Sequence, residues 1–230
     1  MISPRTTRSE ILTKLRAKTE ARKPLLIASA GSGLVASLLE KAGADCVNTF
    51  SGARLRANGM GTMSMMWPIL DSNQQVFDNT TQDILPAMTG DAFVCACINA
   101  NDPLRDMRTY LQQLLDAGVP SVSNIGPSVS YVDKDSTLFQ VLKKSGITFE
   151  NEVEMLKLAK EEKDMVTVAL AFDMEDAQKV LVGAKPDIFC FHAGTTKGGL
   201  VGFDSGESIE ETAKRSEEAY TMARDIHPEV

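Results

Sequence analysis

The chain has 230 residues, 43% of them hydrophobic and 24% charged, the make-up of a globular protein with enough chain to bury one sizeable core. A formal net charge of -7 and a pI near 5.0 argue against binding nucleic acid through a broad basic face, while leaving room for a local anion pocket. No apolar run approaches the roughly 20 residues of a membrane span and no secretory core region is present, so a cytoplasmic protein without a membrane partner is expected.

Taken in chain order, Ile11, Leu12 and Leu15 recur with helical spacing, which predicts a helix over residues 8–23 leading into one domain spanning 1–230. An apolar run from Pro24 to Ala30 reads as a strand. It ends in Gly31-Ser32-Gly33 and is followed by a helical pattern through Leu34, Leu38 and Leu39 to Gly43. A second strand, Asp45 to Phe50, completes a βαβ unit. Further strands are predicted at Ala92 to Ile98, Pro120 to Ile125, Met165 to Phe172 and Pro186 to Phe191. Helical patterns lie between them at about Thr81 to Met88, Pro103 to Ala117, Glu150 to Glu162 and Met174 to Val182, with a last helix at Ile209 to Ile226. Glycines at 43, 118 and 183 suit helix C-termini. The segment Ser51 to Asn79 has no clear period and reads as a long functional loop.

Strands apolar on both faces and separated by helices indicate a parallel α/β sheet. Two architectures suit six such strands, an incomplete (β/α) barrel of the TIM type and an open doubly wound sheet, and periodicity does not separate them. Cys46, Cys95, Cys97 and Cys190 all fall inside apolar runs. Cys95 and Cys97 share a strand face, but no histidine or second C-x-C accompanies them, so free buried thiols are expected rather than a metal site.

In either architecture ligands bind at the carboxyl ends of the strands, and polar residues collect there. They are Ser29, Gly31, Ser32 and Gly33 after the first strand, and Asn48, Ser51 and Arg54 at the second. Asp102 and Arg105 follow the third, Asn124 the fourth, and His192, Thr195, Thr196 and Gly198 the sixth. His192, one of two histidines, suits proton transfer near neutrality. Gly31-Ser32-Gly33 is a weak nucleotide signal, because Ala36 stands where G-x-G-x-x-G needs glycine. Asp102 reads as a helix cap before Pro103. Arg105 reads as an anion clamp, and Glu152 in a first helical turn equally as a dipole partner or a functional carboxylate.

Several of these stretches together resemble one family. Ala-Gly-Ser-Gly after the first strand, Ser-Gly-Ala-Arg-Leu-Arg after the second, Asp-Pro-Leu-Arg-Asp-Met after the third, Glu-Val-Glu-Met on a helix and Gly-Thr-Thr-Lys-Gly-Gly after the sixth resemble the phosphoenolpyruvate hydrolase-like TIM-barrel family. The same domain type resembles the C-terminal half of a plant antiviral resistance protein. The resemblance implies an incomplete barrel with about six of eight strands, since the family's Cys-His-Gly-Gly-Pro strand end and its eighth strand do not occur here. It also implies a hydrolase or lyase acting on a small oxoacid or phosphorylated carboxylate, by acid/base or metal-assisted C–C or P–O cleavage. His192, Glu152 and Asp102 are the expected catalytic groups, with a divalent metal such as Mg as a possible cofactor. The alternative is a non-catalytic barrel that serves as an interaction module. Exposed outer strands would make a homo-oligomer the expected state.

Overall fold

The computed structural model describes residues 6–192, 194 and 208–230. Six strands, β1 (Ile27–Ser29), β2 (Cys46–Thr49), β3 (Phe93–Cys97), β4 (Ser121–Ser123), β5 (Val166–Ala171) and β6 (Ile188–Phe191), form one sheet in sequential order. Every neighbouring pair is parallel. A doubly wound sheet would double back at a switch point. Here each strand is added on the same side as the last, and the sheet curls into an incomplete (β/α) barrel.

Alternation of side chains gives that sheet two unlike faces. Val47, Val94, Ala96, Ile98, Val122, Ala169, Ala171, Phe189 and Phe191 face outward into the main core beneath the helices. The inner face is layered by register: Ser29 lies beside Asn48, Asn48 beside Cys95, Cys95 beside Ser121, and Ser121 beside Val166. Helix α1 (Arg8–Glu20) closes the amino end of this concave face by packing Ile11 and Leu15 on Cys46, Phe93, Cys95, Val166 and Val168. The four cysteines are free.

Helices α2 (Gly33–Lys41), α3 (Ser51–Ala57), α4 (Ser72–Asn79) and the short α5 (Leu85–Ala87) follow the first two strands. Helices α6 (Met107–Asp116), α7 (Thr137–Lys144), α8 (Phe149–Glu161), α9 (Met174–Gly183) and α10 (Ile209–Ile226) follow the others. Several expected boundaries change. Helix α1 stops at Glu20 rather than 23, because Arg22 turns into the left-handed region at φ 55. The segment expected as a loop, 51–79, holds α3, a 3-10 turn at Thr62–Met66 and α4. The helix expected at Thr81 begins at Ser72 and runs through a π-helical turn, Thr80–Ile84. Helix α6 starts at Met107 with Asp106, not Asp102, accepting from the Thr109 N–H at 2.8 Å. Gly43 and Gly118 do take φ of 92 at helix ends. Gly183 does end α9 but takes no positive φ; an added Cβ there would come within 2.6 Å of Val153, and Lys185 makes the left-handed turn at φ 45. Among the described residues no helix is long and apolar enough to cross a membrane.

Candidate active site at the strand ends

His192 follows β6 and continues the inward alternation of Ile188 and Cys190. Its ring packs 4.5 Å from the Phe172 ring and 6.2 Å from that of Tyr131. The Gly194 N–H donates to its Nδ1 at 3.1 Å, and burial lowers the imidazole pKa. Both effects favour a neutral ring whose proton sits on Nε2, a donor presented at the carboxyl end of the barrel.

Tyr131 reaches His192 from the loop after β4, and a buried carboxylate anchors that loop. Glu152 on α8 is 1% exposed. Its oxygens accept from Asn124 Nδ2 at 2.8 Å, Ser128 Oγ at 2.8 Å and the Val129 N–H at 2.9 Å. Asn124 also exchanges two hydrogen bonds with the Leu170 backbone, at 2.8 and 2.9 Å, extending the sheet one step beyond β4. Desolvation raises the Glu152 carboxyl to about 8 despite these donors, so near pH 7 it is mainly neutral. A second buried carboxylate, Asp176 on α9, accepts from Ser130 Oγ at 2.7 Å and Lys134 Nζ at 3.0 Å. The Ser130 N–H donates to Ser128 Oγ at 3.2 Å, which links the two carboxylates through one loop. Burial raises Asp176 as well. Glu152 therefore lies on the helix side of the sheet, behind the loop that carries Tyr131.

At the end of β3, Asp102 and Arg105 belong to a closed polar cluster. Arg105 donates to Asp102 at 2.7 Å and to Asp71 at 2.8 and 3.0 Å. Asn73, buried on α4, donates to Asp102 and to the Asn99 carbonyl at 2.9 Å and accepts from the Asn99 N–H at 2.8 Å. Asn101 ties the Thr148 backbone at the start of α8. This cluster welds α4 to the third strand end, and both carboxylates already accept hydrogen bonds from the one guanidinium. The cleft beside it has a volume of about 640 Å³ and is walled by Trp67, Leu70, Leu104, Val132, Leu142 and Ile147.

The first two strand ends meet at Gly31. An added Cβ there would overlap the Ala53 carbonyl of α3, and one at Gly33 the Asp83 carbonyl. These glycines permit close backbone packing, while Ser32 caps α2 by accepting from the Val35 N–H at 3.4 Å. Arg54 donates to the Gly31 carbonyl at 3.4 Å and makes no ion pair with a carboxylate among the described residues. Arg56 lies over the Phe50 ring at 5.3 Å. Ser29 and Asn48 face inward below them, Asn48 accepting from Cys46 Sγ at 3.4 Å. The Ser51 hydroxyl is buried without a hydrogen-bond partner among the described residues.

Thr195, Thr196 and Gly198 lie outside the described residues. The others fall into three groups: His192 at the barrel mouth with Asn124 and Glu152 behind it, Asp102 with Arg105, and Gly31 with Arg54. Sequence reasoning overlooked Asp71 and Asn73 because they sit in the stretch without period, although Asp71 before a helical run is a cap signal. Tyr131 and Phe172 carried no signal, since only the fold sets them against His192.

A divalent cation of the Mg type needs a shell of hard oxygens, including carboxylates free to bind. Among the described residues no group of three or more His, Cys, Asp and Glu is arranged to hold a metal. Asp71 and Asp102, the paired carboxylates at the third strand end, are both engaged by Arg105 and would have to give it up to bind such an ion.

Comparison with known proteins gives a consistent picture. A family described as phosphoenolpyruvate hydrolase-like matches residues 10–230. The tomato (Solanum lycopersicum) ToMV resistance protein Tm-1(GCR237) is 30% identical over 222 residues, covering 96% of this chain and 28% of that protein. The putative transcriptional regulatory protein y4pA of Sinorhizobium fredii is 28% identical over 225 residues, covering 97% of this chain and 36% of that protein. The chain thus spans about a third of the length of these relatives. Among solved structures, a phosphonopyruvate hydrolase in complex with oxalate and Mg is similar with a TM-score of 0.57 at 15% identity, covering 92% of this chain and 68% of that one. A 2,3-dimethylmalate lyase is similar with a TM-score of 0.53 at 15% identity, covering 84% and 65%. At such identities the structural likeness establishes the fold.

Proposed function

The chain belongs to the phosphoenolpyruvate hydrolase-like family, and from that membership and the strand-end geometry we propose that it is a hydrolase or lyase acting on a small oxoacid or phosphorylated carboxylate. The observation that carries this reading is the His192 ring at the barrel mouth, its Nδ1 held by the Gly194 N–H and its faces walled by Phe172 and Tyr131. C–C or P–O cleavage of such an acid gathers negative charge on an enolate or carbonyl oxygen. A fixed imidazole N–H stabilises that charge without first having to lose a proton. Among the described residues, Arg54 is a strand-end cation without a carboxylate partner, and we assign it to the substrate's carboxylate or phosphate. Ser29, Asn48 and Ser51 supply polar groups at the first two strand ends, and Thr195, Thr196 and Gly198 follow His192 in sequence as further donors. Glu152 and Asn124 are positioning residues that hold the Tyr131 loop. Asp102 and Arg105 position the third strand end.

The test is calorimetric titration with phosphoenolpyruvate, pyruvate and oxaloacetate, followed by assays for phosphate and pyruvate release. Wild type is expected to bind at least one of them, Arg54→Ala to weaken that binding about tenfold or more, and His192→Gln to lose turnover while still binding. Absence of binding to all three at about 10 mM, where affinities contribute just under about 3 kcal/mol, would overturn the proposal.

One observation favours a second reading, a barrel retained as an interaction module. Arg105 and Glu152, both expected to serve the substrate, spend their hydrogen bonds inside the fold. Unchanged binding in Arg54→Ala, together with no turnover in wild type, is the result that would favour it.

A further inference from the structure

We propose that the α7 face is a self-association surface, on which two copies of this chain pair their α7 helices antiparallel across a two-fold axis. Helix α7 reads Thr-Leu-Phe-Gln-Val-Leu-Lys-Lys and buries none of its residues within the chain. Leu138 is 57% and Val141 53% exposed. These two sit three positions apart and therefore share one helix face. The apolar surface continues past the helix: Leu142 forms one wall of the cleft of about 640 Å³, and Trp67 and Leu104 on its rim are 73% and 83% exposed. An exposed apolar patch of this kind marks an association site.

Charge along α7 decides which occupant fits. The helix is entered through Asp133 and Asp135 and leaves through Lys143 and Lys144, all exposed. A two-fold axis pairs a surface with itself in reverse. If Leu138 of one copy meets Val141 of the other, the same register sets Thr137 opposite Leu142, Ser136 opposite Lys143, and Asp135 opposite Lys144. The acidic entry of each helix thus meets the basic exit of its mate, twice per dimer, and the helix ends add favourable dipole alignment. The chain's overall net charge of -7 opposes unspecific self-contact, but this segment is complementary to its own reverse. Lys134 takes no part, being committed to Asp173, Glu175 and Asp176.

The experiment is sedimentation velocity and light scattering from about 1 to 100 µM, the range in which a modest interface is populated. A concentration-dependent dimer is expected, weakened by salt. Val141→Glu is expected to give a monomer with an unchanged circular dichroism spectrum, because the side chain supports no core. Asp135→Lys and Lys144→Asp should each raise the dissociation constant about tenfold, since each disrupts two exposed pairs. Both changes in one chain should restore it. A wild type monomeric at about 100 µM would overturn the proposal and leave the face to a different protein. A dimer indifferent to Val141→Glu, or double charge reversal that fails to rescue, would overturn it equally.

Discussion

Replacing Glu152 by Gln separates the energy of a buried carboxyl from that of the shape it fills. In the wild type one oxygen accepts from Val129 N–H and the other from Asn124 Nδ2, with Ser128 Oγ within hydrogen-bond reach of both and able to accept the carboxyl proton. Gln can keep its carbonyl toward Val129, but its NH2 then faces the Asn124 NH2. One buried donor is left unmet, at a cost of about 1–3 kcal/mol. The pH dependence is the sharper measurement. The folded carboxyl is raised from its ordinary value of 4.5 to about 8, so between those values the native state holds a proton that the unfolded chain has lost. The stability linked to that proton is fully present below pH 4.5 and is lost as pH rises toward 8. At about 1.4 kcal/mol per pH unit the whole span is worth on the order of 5 kcal/mol. Urea unfolding followed by circular dichroism should show wild-type stability falling from pH 5 to pH 8. Glu152→Gln should start lower at pH 5 and fall with a shallower slope, so that the two curves converge or cross. Asp176 is raised too and contributes the same sign in both proteins, which leaves a residual slope in the variant. Parallel curves for the two proteins across this range would refute the reasoning.

Gly31→Ala should lower the thermal midpoint by several degrees, because its Cβ meets the Ala53 backbone carbonyl, which has no rotamer to yield and must be displaced at about 1–3 kcal/mol. Arg105→Ala should cost about 1–3 kcal/mol of stability by stripping Asp71 and Asp102 of their guanidinium, while leaving oxoacid affinity within about twofold; a calorimetric loss as large as that of Arg54→Ala would return Arg105 to the binding site. The His192 C2 proton, followed by NMR, should titrate with a midpoint below the ordinary 6.5, since burial opposes the imidazolium. A midpoint at or above that value would mean that burial does not govern the ring's protonation.

The six strands, the main helices between them and the strand-end location of His192, Arg54 and Asn124 are readable in the chain. They rest on short-range patterns: β-branched runs for strands, 3.6-residue periods for helices, and the glycine turns at 43 and 118. Helices α3, α4 and α7 were harder to read, because each is at most eight residues long. Over so few residues a period is weak evidence, and α7 has no buried stripe to reveal its register. Whether the sheet curls was decided only in three dimensions, since an identical succession of elements serves a doubly wound sheet. The partnerships of polar residues were decided there as well. Sequence identifies Glu152, Asp102 and Arg105 as charged groups near strand ends. The folded chain then encloses Glu152 behind the β4 loop and closes Arg105 onto Asp71, more than thirty residues away, because a buried charge must find its partner wherever the backbone brings one. Composition and local spacing determine which side chains are available at the mouth of this barrel, and tertiary packing determines which of them remain free to meet a substrate.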